Sequence, residues 1–264
     1  MIKGIGIDIG TSTTKAVVLN ETEIISTAVV RSNEETELVA RTTVNKALEQ
    51  IGLSFDSNII IVATGLGSKS VSFSQSKSLT TCLARGVNSL FPSVKMAIDM
   101  GAESSTVIKL NQQGRLVDWV GQDKCAAGTG AFLEQMAKLM SSSLEEMDSM
   151  SFLAKSPPEI TNTCAVFAES EIISHIHRVP PTLKEDLIAG IYRSVLGRII
   201  SLCKRVGIQQ DVAATGGVAL NKGIISLLSK DIGFKILVPD NPQITAALGA
   251  AIIAREISAK GVNV

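Results

Sequence analysis

The feature that most constrains the fold is a short segment that occurs twice in the chain. Residues 5–20 have the pattern of a strand, a tight glycine turn rich in hydroxyl groups, and a second strand. Residues 98–111 repeat this pattern. The matched positions carry identical residues: Ile7 and Ile98, Asp8 and Asp99, Gly10 and Gly101, Leu19 and Leu110, Asn20 and Asn111. Because each copy of a repeat is one folding unit, two copies predict two similar lobes.

Both turns have a composition suited to phosphate. Small residues let a phosphate approach the backbone, hydroxyl and N–H groups donate to its oxygens, and an aspartate can hold Mg²⁺ through water. One such turn alone could equally be an ordinary hydroxyl-rich hairpin. Two of them predict a nucleotide between two lobes, which is the arrangement of the actin, hexokinase, heat-shock chaperone and acetate-kinase superfamily.

Two cysteines, Cys125 and Cys164, are predicted to lie where a loop enters a helix, because apolar residues recur at helical spacing after each of them. The positive end of a helix dipole favours a thiolate there. Two thiolates are too few for an iron–sulfur cluster, which takes four. A twofold dimer meeting at this surface would supply four. The alternative is that either cysteine is a core residue, since free cysteines are often buried.

The residues around these cysteines resemble those of the ATP-dependent activators of 2-hydroxyacyl-CoA dehydratases and benzoyl-CoA reductases. The resemblance rests on residues 124–134 and 161–171 and extends over nearly the whole chain. It implies an α/β fold of two actin-like, ribonuclease H-like lobes with an ATP cleft between them, in a homodimer. It also implies one [4Fe-4S] cluster per homodimer, held by Cys125 and Cys164 of both subunits.

The resemblance assigns further roles. Asp8 and Asp99 would hold Mg²⁺ with ATP or ADP. Apart from the resemblance, we expect Glu103 and Ser104 in the second hairpin to sense the γ-phosphate. Glu134 would link the nucleotide to the helix after Cys125. The remaining nucleotide-binding residues would be Gly10, Thr11, Ser12, Thr13, Thr14, Lys15, Gly101, Ala102, Gly216, Gly217, Val218 and Gln243. For the Gly216–Gly217 turn, a simple packing turn is the alternative.

The implied activity is ATP-driven electron transfer. Ferredoxin or flavodoxin would reduce the cluster, and an acceptor metalloenzyme with its own iron–sulfur clusters would receive the electron. The chain departs from the common family pattern at Ala102, Glu103 and Ser104, which follow Gly101, and at Ala131. These departures leave room for an acceptor of the double-cubane cluster type. The alternatives are a small-molecule kinase of the same superfamily without a cluster, and a non-catalytic nucleotide-dependent regulator.

The whole chain excludes some other classes. Lys plus Arg and Asp plus Glu both number 25 and aromatic residues make up 3%, so nothing favours nucleic acid or anionic lipid. The longest apolar run is too short to span a membrane, and the N-terminus reads as a strand, so we expect a cytoplasmic protein. We expect a first lobe at 1–93 with a closing helix at about 244–264 packed back on it, and a second lobe at 94–243. Residues 141–159 are predicted to be a polar surface excursion.

Overall fold

The structure is a computed structural model of the 264-residue chain, and it describes residues 2–21, 23–56, 59–122 and 129–261. Its contacts divide the chain into two compact units. The first comprises Met1–Lys95, Leu110–Val117 and Asp240–Val264, and the second comprises Met96–Lys109 and Asp118–Pro239. No helix among the described residues is both long and apolar enough to cross a bilayer.

Ten strands and eight α-helices are present in the described ranges. The strands are β1 Gly4–Ile9, β2 Thr13–Leu19, β3 Ile24–Arg31, β4 Ile61–Gly65, β5 Gln75–Ser76, β6 Met96–Met100, β7 Ser105–Leu110, β8 Leu116–Gln122, β9 Val212–Thr215 and β10 Ile236–Leu237. The helices are α1 Thr36–Glu49, α2 Leu79–Leu90, α3 Gly130–Leu139, α4 Leu144–Ser151, α5 Ala165–His177, α6 Lys184–Val206, α7 Lys222–Ile232 and α8 Thr245–Ala259.

The first unit is a five-stranded sheet of order β3-β2-β1-β4-β5. Strand β1 alternates glycine with isoleucine, and each set faces a different helix. Ile5 and Ile7 belong to the core that contains Ala40, Val44, Ala47 and Leu48 of α1. On the other face, a Cβ on Gly6 would collide with the backbone carbonyl of Ala247, so only glycine lets α8 lie this close to the strand. Because side chains alternate between the two faces of a strand, the isoleucines of β1 lie on one face and its glycines on the other.

The second unit repeats the topology of the first. Its sheet has the order β10-β9-β6-β7-β8, so that β6 takes the place of β1 at the centre, between an antiparallel β7 and a parallel β9. The registers also agree, because Asp8 lies opposite Lys15 and Thr64, and Asp99 lies opposite Thr106 and Thr215. Two α/β units of one topology confirm the repeat predicted from the sequence.

The segment at 141–159, predicted to be a polar surface excursion, contains the helix α4. A capping box starts this helix, in which the Ser143 hydroxyl accepts from the Glu146 N–H and the Glu146 carboxylate accepts from the Ser143 N–H. Met147 is fully buried in the core of the second unit. The Ser-x-x-Glu spacing could have predicted the start of this helix, whereas the polar composition of the segment did not indicate a helix.

Candidate functional site

The turn between β1 and β2 places a charged pair at the end of the central strand of the first unit. The Gly10 N–H donates to the Thr13 carbonyl at 3.1 Å and closes the turn. Asp8 is buried, and its Oδ2 lies 3.2 Å from Nζ of Lys15, directly opposite on β2. The predicted residues Asp8, Gly10 and Lys15 therefore lie together in one hairpin.

The hydroxyl groups of this turn differ in their surroundings. Thr11 is exposed, and Ser12 and Thr13 are partly buried. Thr14 is completely buried, and its hydroxyl shares a 2.9 Å hydrogen bond with the Ser32 hydroxyl. Gln243, another residue predicted to bind nucleotide, belongs to the first unit and lies in a short 3₁₀ helix, Pro242–Ile244. Nucleotide binding by all of them remains a prediction.

The turn between β6 and β7 has the same backbone geometry in the second unit. The Gly101 N–H donates to the Ser104 carbonyl at 2.9 Å, as Gly10 does to Thr13. Asp99, partly buried at the end of β6, accepts a 2.8 Å hydrogen bond on Oδ1 from the hydroxyl of Thr215. Glu103 is exposed at the tip of the turn, and Ser104 is partly buried.

A Thr-Gly dipeptide lies at the end of the parallel strand beside each aspartate, and sequence reasoning missed this second repeat. Gly65 and Gly216 both have φ of 85°, which favours glycine. A Cβ on Gly65 would lie 2.7 Å from Oδ1 of Asp8, and one on Gly216 would collide with the backbone of Met100, next to Asp99. Each glycine thus lets the chain turn directly beside its aspartate. The signal was the shared Thr-Gly at the ends of two predicted strands.

The second hairpin is bonded directly to the start of α3. The N–H of Gly130 donates to the carbonyl of Gly101 at 3.0 Å, and the N–H of Ala131 donates to the carbonyl of Ala102 at 2.8 Å. These two amides are at the N-terminus of a helix, where no intrahelical acceptor is available to them. The hairpin backbone therefore supplies their acceptors and fixes α3 to the turn that carries Asp99.

The glycine turn after β9 also lies close to the start of α3. An added Cβ on Gly130 would lie 3.3 Å from both the Gly101 carbonyl oxygen and a methyl group of Val218. The structure therefore brings together the second hairpin, the Gly216–Val218 turn and the start of α3. Val218 is buried and Gly217 is exposed. Glu134 is exposed on α3.

Cys164 is the residue before the first turn of α5, as predicted, and it is partly exposed. The loop before it is held by side chains. The guanidinium of Arg198 donates to the carbonyls of Asn162 and Thr163, and the Ser194 hydroxyl donates to the Thr161 carbonyl at 2.7 Å. The Thr161 N–H donates to the Glu171 carboxylate at 2.8 Å. Cys125 lies outside the described residues.

The small residues of α6 allow this loop to lie against the helix. A Cβ on Gly190 would lie 2.7 Å from the carbonyl oxygen of Pro158, and one on Gly197 would collide with the side chain of Asn162. With Ser194 between them, these residues form one stripe at helical spacing. We call the contacts of Ser194 and Arg198 with residues 161–163 the cysteine-loop clamp.

The other two cysteines have the character of core residues. Cys82 and Cys203 are fully buried. Burial raises the pKa of the Cys82 thiol to about 11 and that of the Cys203 thiol to about 12. Thiols of this kind are poor ligands and poor nucleophiles, because the thiolate is the reactive form. The surroundings of Cys164 are more exposed than those of the two buried cysteines. Val166 and Phe167, close after Cys164 in the chain, expose 68% and 64% of their surface.

Comparison with known proteins identifies the family to which these features belong. The model of the BadF/BadG/BcrA/BcrD ATPase family matches residues 5–254. The chain belongs to this family. It is 40% identical over 251 residues to the 2-hydroxyisocaproyl-CoA dehydratase activator of Clostridioides difficile, covering 94% of this chain and 93% of that protein.

Solved structures agree in fold. The activator of the 2-hydroxyisocaproyl-CoA dehydratase from Clostridium difficile with bound ADPNP has a TM-score of 0.92 and 38% identity, covering 99% of this chain and 97% of that one. Component A of the (R)-2-hydroxyglutaryl-CoA dehydratase of Acidaminococcus fermentans has a TM-score of 0.90 and 34% identity, covering 97% and 98%. The two repeated units therefore have the actin-like ATPase fold expected from the sequence.

Proposed function

We propose that this protein is an ATP-hydrolysing activator that delivers single low-potential electrons to a partner metalloenzyme. In each event ATP and water give ADP and phosphate, while one electron passes from a reduced ferredoxin or flavodoxin to the partner. The names of the relatives support the activator role, since the C. difficile relative is named as the activator of a 2-hydroxyisocaproyl-CoA dehydratase. The acceptor here is a dehydratase, a reductase or a double-cubane cluster protein.

One observation carries the coupling of nucleotide to electron transfer. The backbone of the hairpin with Asp99 accepts the first N–H groups of α3, through Gly101–Gly130 and Ala102–Ala131. A shift of this hairpin on a change of nucleotide would therefore move the start of α3, which follows Cys125 in the chain by a few residues. A ligand can drive such a movement only if it binds the two positions with different affinity. ATP and ADP meet this condition when the γ-phosphate contacts the hairpin.

The donor set available for a [4Fe-4S] cluster fits a shared site. Cys164 is partly exposed and lies at the N-terminus of α5. Among the described residues, no three His, Cys, Asp or Glu side chains come together to hold a metal. A four-cysteine site would thus need Cys125 and the same two residues of a second chain. When bound, the cluster would supply a one-electron carrier.

The surface beside Cys164 suits the contact between two chains that such a cluster requires. Val166 and Phe167 are mostly exposed, and Ile173 farther along α5 is 39% exposed. Adjacent exposed apolar side chains are typical of interaction sites. A twofold axis near Cys164 would bury this apolar face of α5 against its own copy and bring the two Cys164 side chains close together.

The experiment is anaerobic reconstitution with iron and sulfide, followed by iron, mass and ATPase measurements. We expect four irons per two chains. Cys164→Ser should lose the iron, and Cys82→Ser and Cys203→Ser should keep it. Asp8→Asn and Asp99→Asn should keep the iron and lose ATP hydrolysis by about a hundredfold or more, because phosphoryl transfer depends on metal and charge placement.

Three results would contradict the proposal. Four irons per single chain would rule out the shared site. Unchanged ATP turnover in both aspartate variants would remove the carboxylates from the reaction. An iron-free protein that phosphorylates a small molecule would instead indicate the kinase alternative.

A further inference from the structure

We infer that Thr215 is a positioning residue that orients the Asp99 carboxylate for Mg²⁺ and nucleotide, a role that Asp8 does not require from its own threonine. This inference rests on the proposed nucleotide function. It concerns a residue whose contact differs between the two units, and it makes the second unit the one whose metal affinity depends on a buried hydroxyl.

The geometry that supports the inference is specific. Thr215 is the last residue of β9 and has no exposed surface. Its backbone lies opposite Asp99 in the parallel β6–β9 register, and its Oγ1 donates to Oδ1 of Asp99 at 2.8 Å. The next residue, Gly216, has a left-handed backbone and lies against Met100. The strand pairing and this tight turn together hold the threonine in place beside the carboxylate.

The equivalent residue of the first unit serves as an internal comparison. Thr64 also has no exposed surface, and it lies opposite Asp8 in the β1–β4 register. Its hydroxyl, however, donates to the backbone carbonyl of Lys77 at 3.0 Å. Asp8 is contacted instead by the ammonium of Lys15, whereas the residue opposite Asp99 on the antiparallel strand is Thr106. Asp8 is thus paired with an ammonium, and Asp99 accepts a hydrogen bond from a threonine hydroxyl.

These two partners have different consequences for a cation. An ammonium that neutralises a carboxylate competes with Mg²⁺ for its charge. A hydroxyl donor orients the carboxylate and compensates part of its burial without cancelling its charge. Hydrogen bonds to a ligating carboxylate are worth about 10–100-fold in metal affinity or activity when they are removed. Thr215 should therefore act mainly through Mg²⁺, and only weakly on nucleotide binding without metal.

The test compares Thr215→Ser with Thr215→Ala in the full chain, because these variants differ by one hydroxyl oxygen. Thr215→Val replaces the hydroxyl with a methyl group of similar size. Thr64→Val is the matched control, since it removes a buried threonine hydroxyl that does not contact an aspartate. Calorimetry gives the Kd for ADP with Mg²⁺ and with EDTA, and the Mg²⁺ dependence of ATP hydrolysis is titrated. Thermal unfolding without ligand measures the structural cost of each substitution.

We expect Thr215→Ala and Thr215→Val to weaken ADP binding about tenfold or more in Mg²⁺ and by less than about threefold in EDTA. Thr215→Ser should keep most of the gain in ADP affinity that Mg²⁺ provides, and Thr64→Val should behave like the natural protein. Equal Mg²⁺ dependence in the Ser and Ala variants would overturn the inference while leaving the proposed function intact. If the natural protein binds no Mg²⁺–ADP, the proposed function itself fails. Should Thr215→Val not fold, the Ser–Ala comparison still decides.

Discussion

The ammonium of Lys15 lies 3.2 Å from the Asp8 carboxylate, and only 13% and 12% of these side chains are exposed. Taking two charges out of water costs free energy, which their attraction offsets only while both are present. This pair therefore ties the folding of the first hairpin to the residues proposed to bind phosphate and metal.

Lys15→Met should lower the free energy of unfolding by about 2–3 kcal/mol, because it leaves the Asp8 charge buried without its ammonium. Adding Asp8→Asn to that variant should recover part of the loss, since the uncompensated charge is then removed. Denaturant unfolding of the single and double variants measures this coupling.

The surface pair of Lys3 and Glu21 provides a control at a similar distance, 3.3 Å, with 36% and 77% exposure. Lys3→Met should cost less than about 1 kcal/mol. Equal losses for Lys3→Met and Lys15→Met would show that burial of the Lys15–Asp8 pair has no energetic effect.

Cys82 and Cys203 should make the protein sensitive to alkali. Their pKa values rise on folding from 9.0 to about 11 and about 12, with burial as the main cause. A raised pKa means that the folded state resists loss of the proton. The associated stability is therefore complete below pH 9 and is lost as the pH rises toward the folded values, by about 1.4 kcal/mol per thiol and pH unit.

Unfolding measured between pH 8 and pH 10.5 checks this expectation. Cys82→Ala and Cys203→Ala should each show a shallower fall in the free energy of unfolding than the natural protein. The slopes are compared rather than the absolute values, because each substitution also leaves a small cavity. Unchanged slopes in both variants would mean that the thiols do not titrate with the unfolding transition.

The hairpins were predictable from the sequence, and the contact that distinguishes them was not. Glycine turns, hydroxyls and β-branched runs are local signals, and the repeat made them specific. The bond from Thr215 to Asp99 joins residues 116 positions apart and exists only because β9 pairs with β6 in one register. Likewise, Thr14 belongs to the predicted phosphate turn, but its contact with Ser32 depends on how β3 pairs with β2. Local pattern gives the elements, and strand pairing decides which side chains meet.

Removing the cysteine-loop clamp should loosen the loop before Cys164 without unfolding the unit. Arg198→Gln shortens the side chain that donates to the carbonyls of Asn162 and Thr163. Two hydrogen bonds contribute about 1–3 kcal/mol in total, so amide hydrogen exchange at residues 161–164 should rise about tenfold or more. Exchange in α7, which these bonds do not reach, should stay unchanged.

The matched control for that variant is Ser201→Ala, because Ser201 lies on the same helix and its hydroxyl donates within the helix, to the Gly197 carbonyl. It should leave exchange at residues 161–164 as it is. If Arg198→Gln leaves exchange there unchanged as well, the clamp does not hold the loop. In protein reconstituted with iron and sulfide, Arg198→Gln should lose iron to a chelator faster than the natural protein does.

Glu103 provides the test of communication between nucleotide and cluster. It is exposed at the tip of the turn whose Gly101 and Ala102 carbonyls accept the first N–H groups of α3. If this carboxylate senses the γ-phosphate, Glu103→Ala should still bind nucleotide and keep its iron. It should lose the difference in iron-chelation rate between the ATP and ADP states, because the two nucleotides would no longer favour different positions of the hairpin. Glu145→Ala, which removes another exposed carboxylate, on α4, should retain the difference. Identical chelation rates with ATP and ADP in the natural protein would contradict the coupling itself, whereas a difference that survives in Glu103→Ala would assign the sensing to another residue of the hairpin.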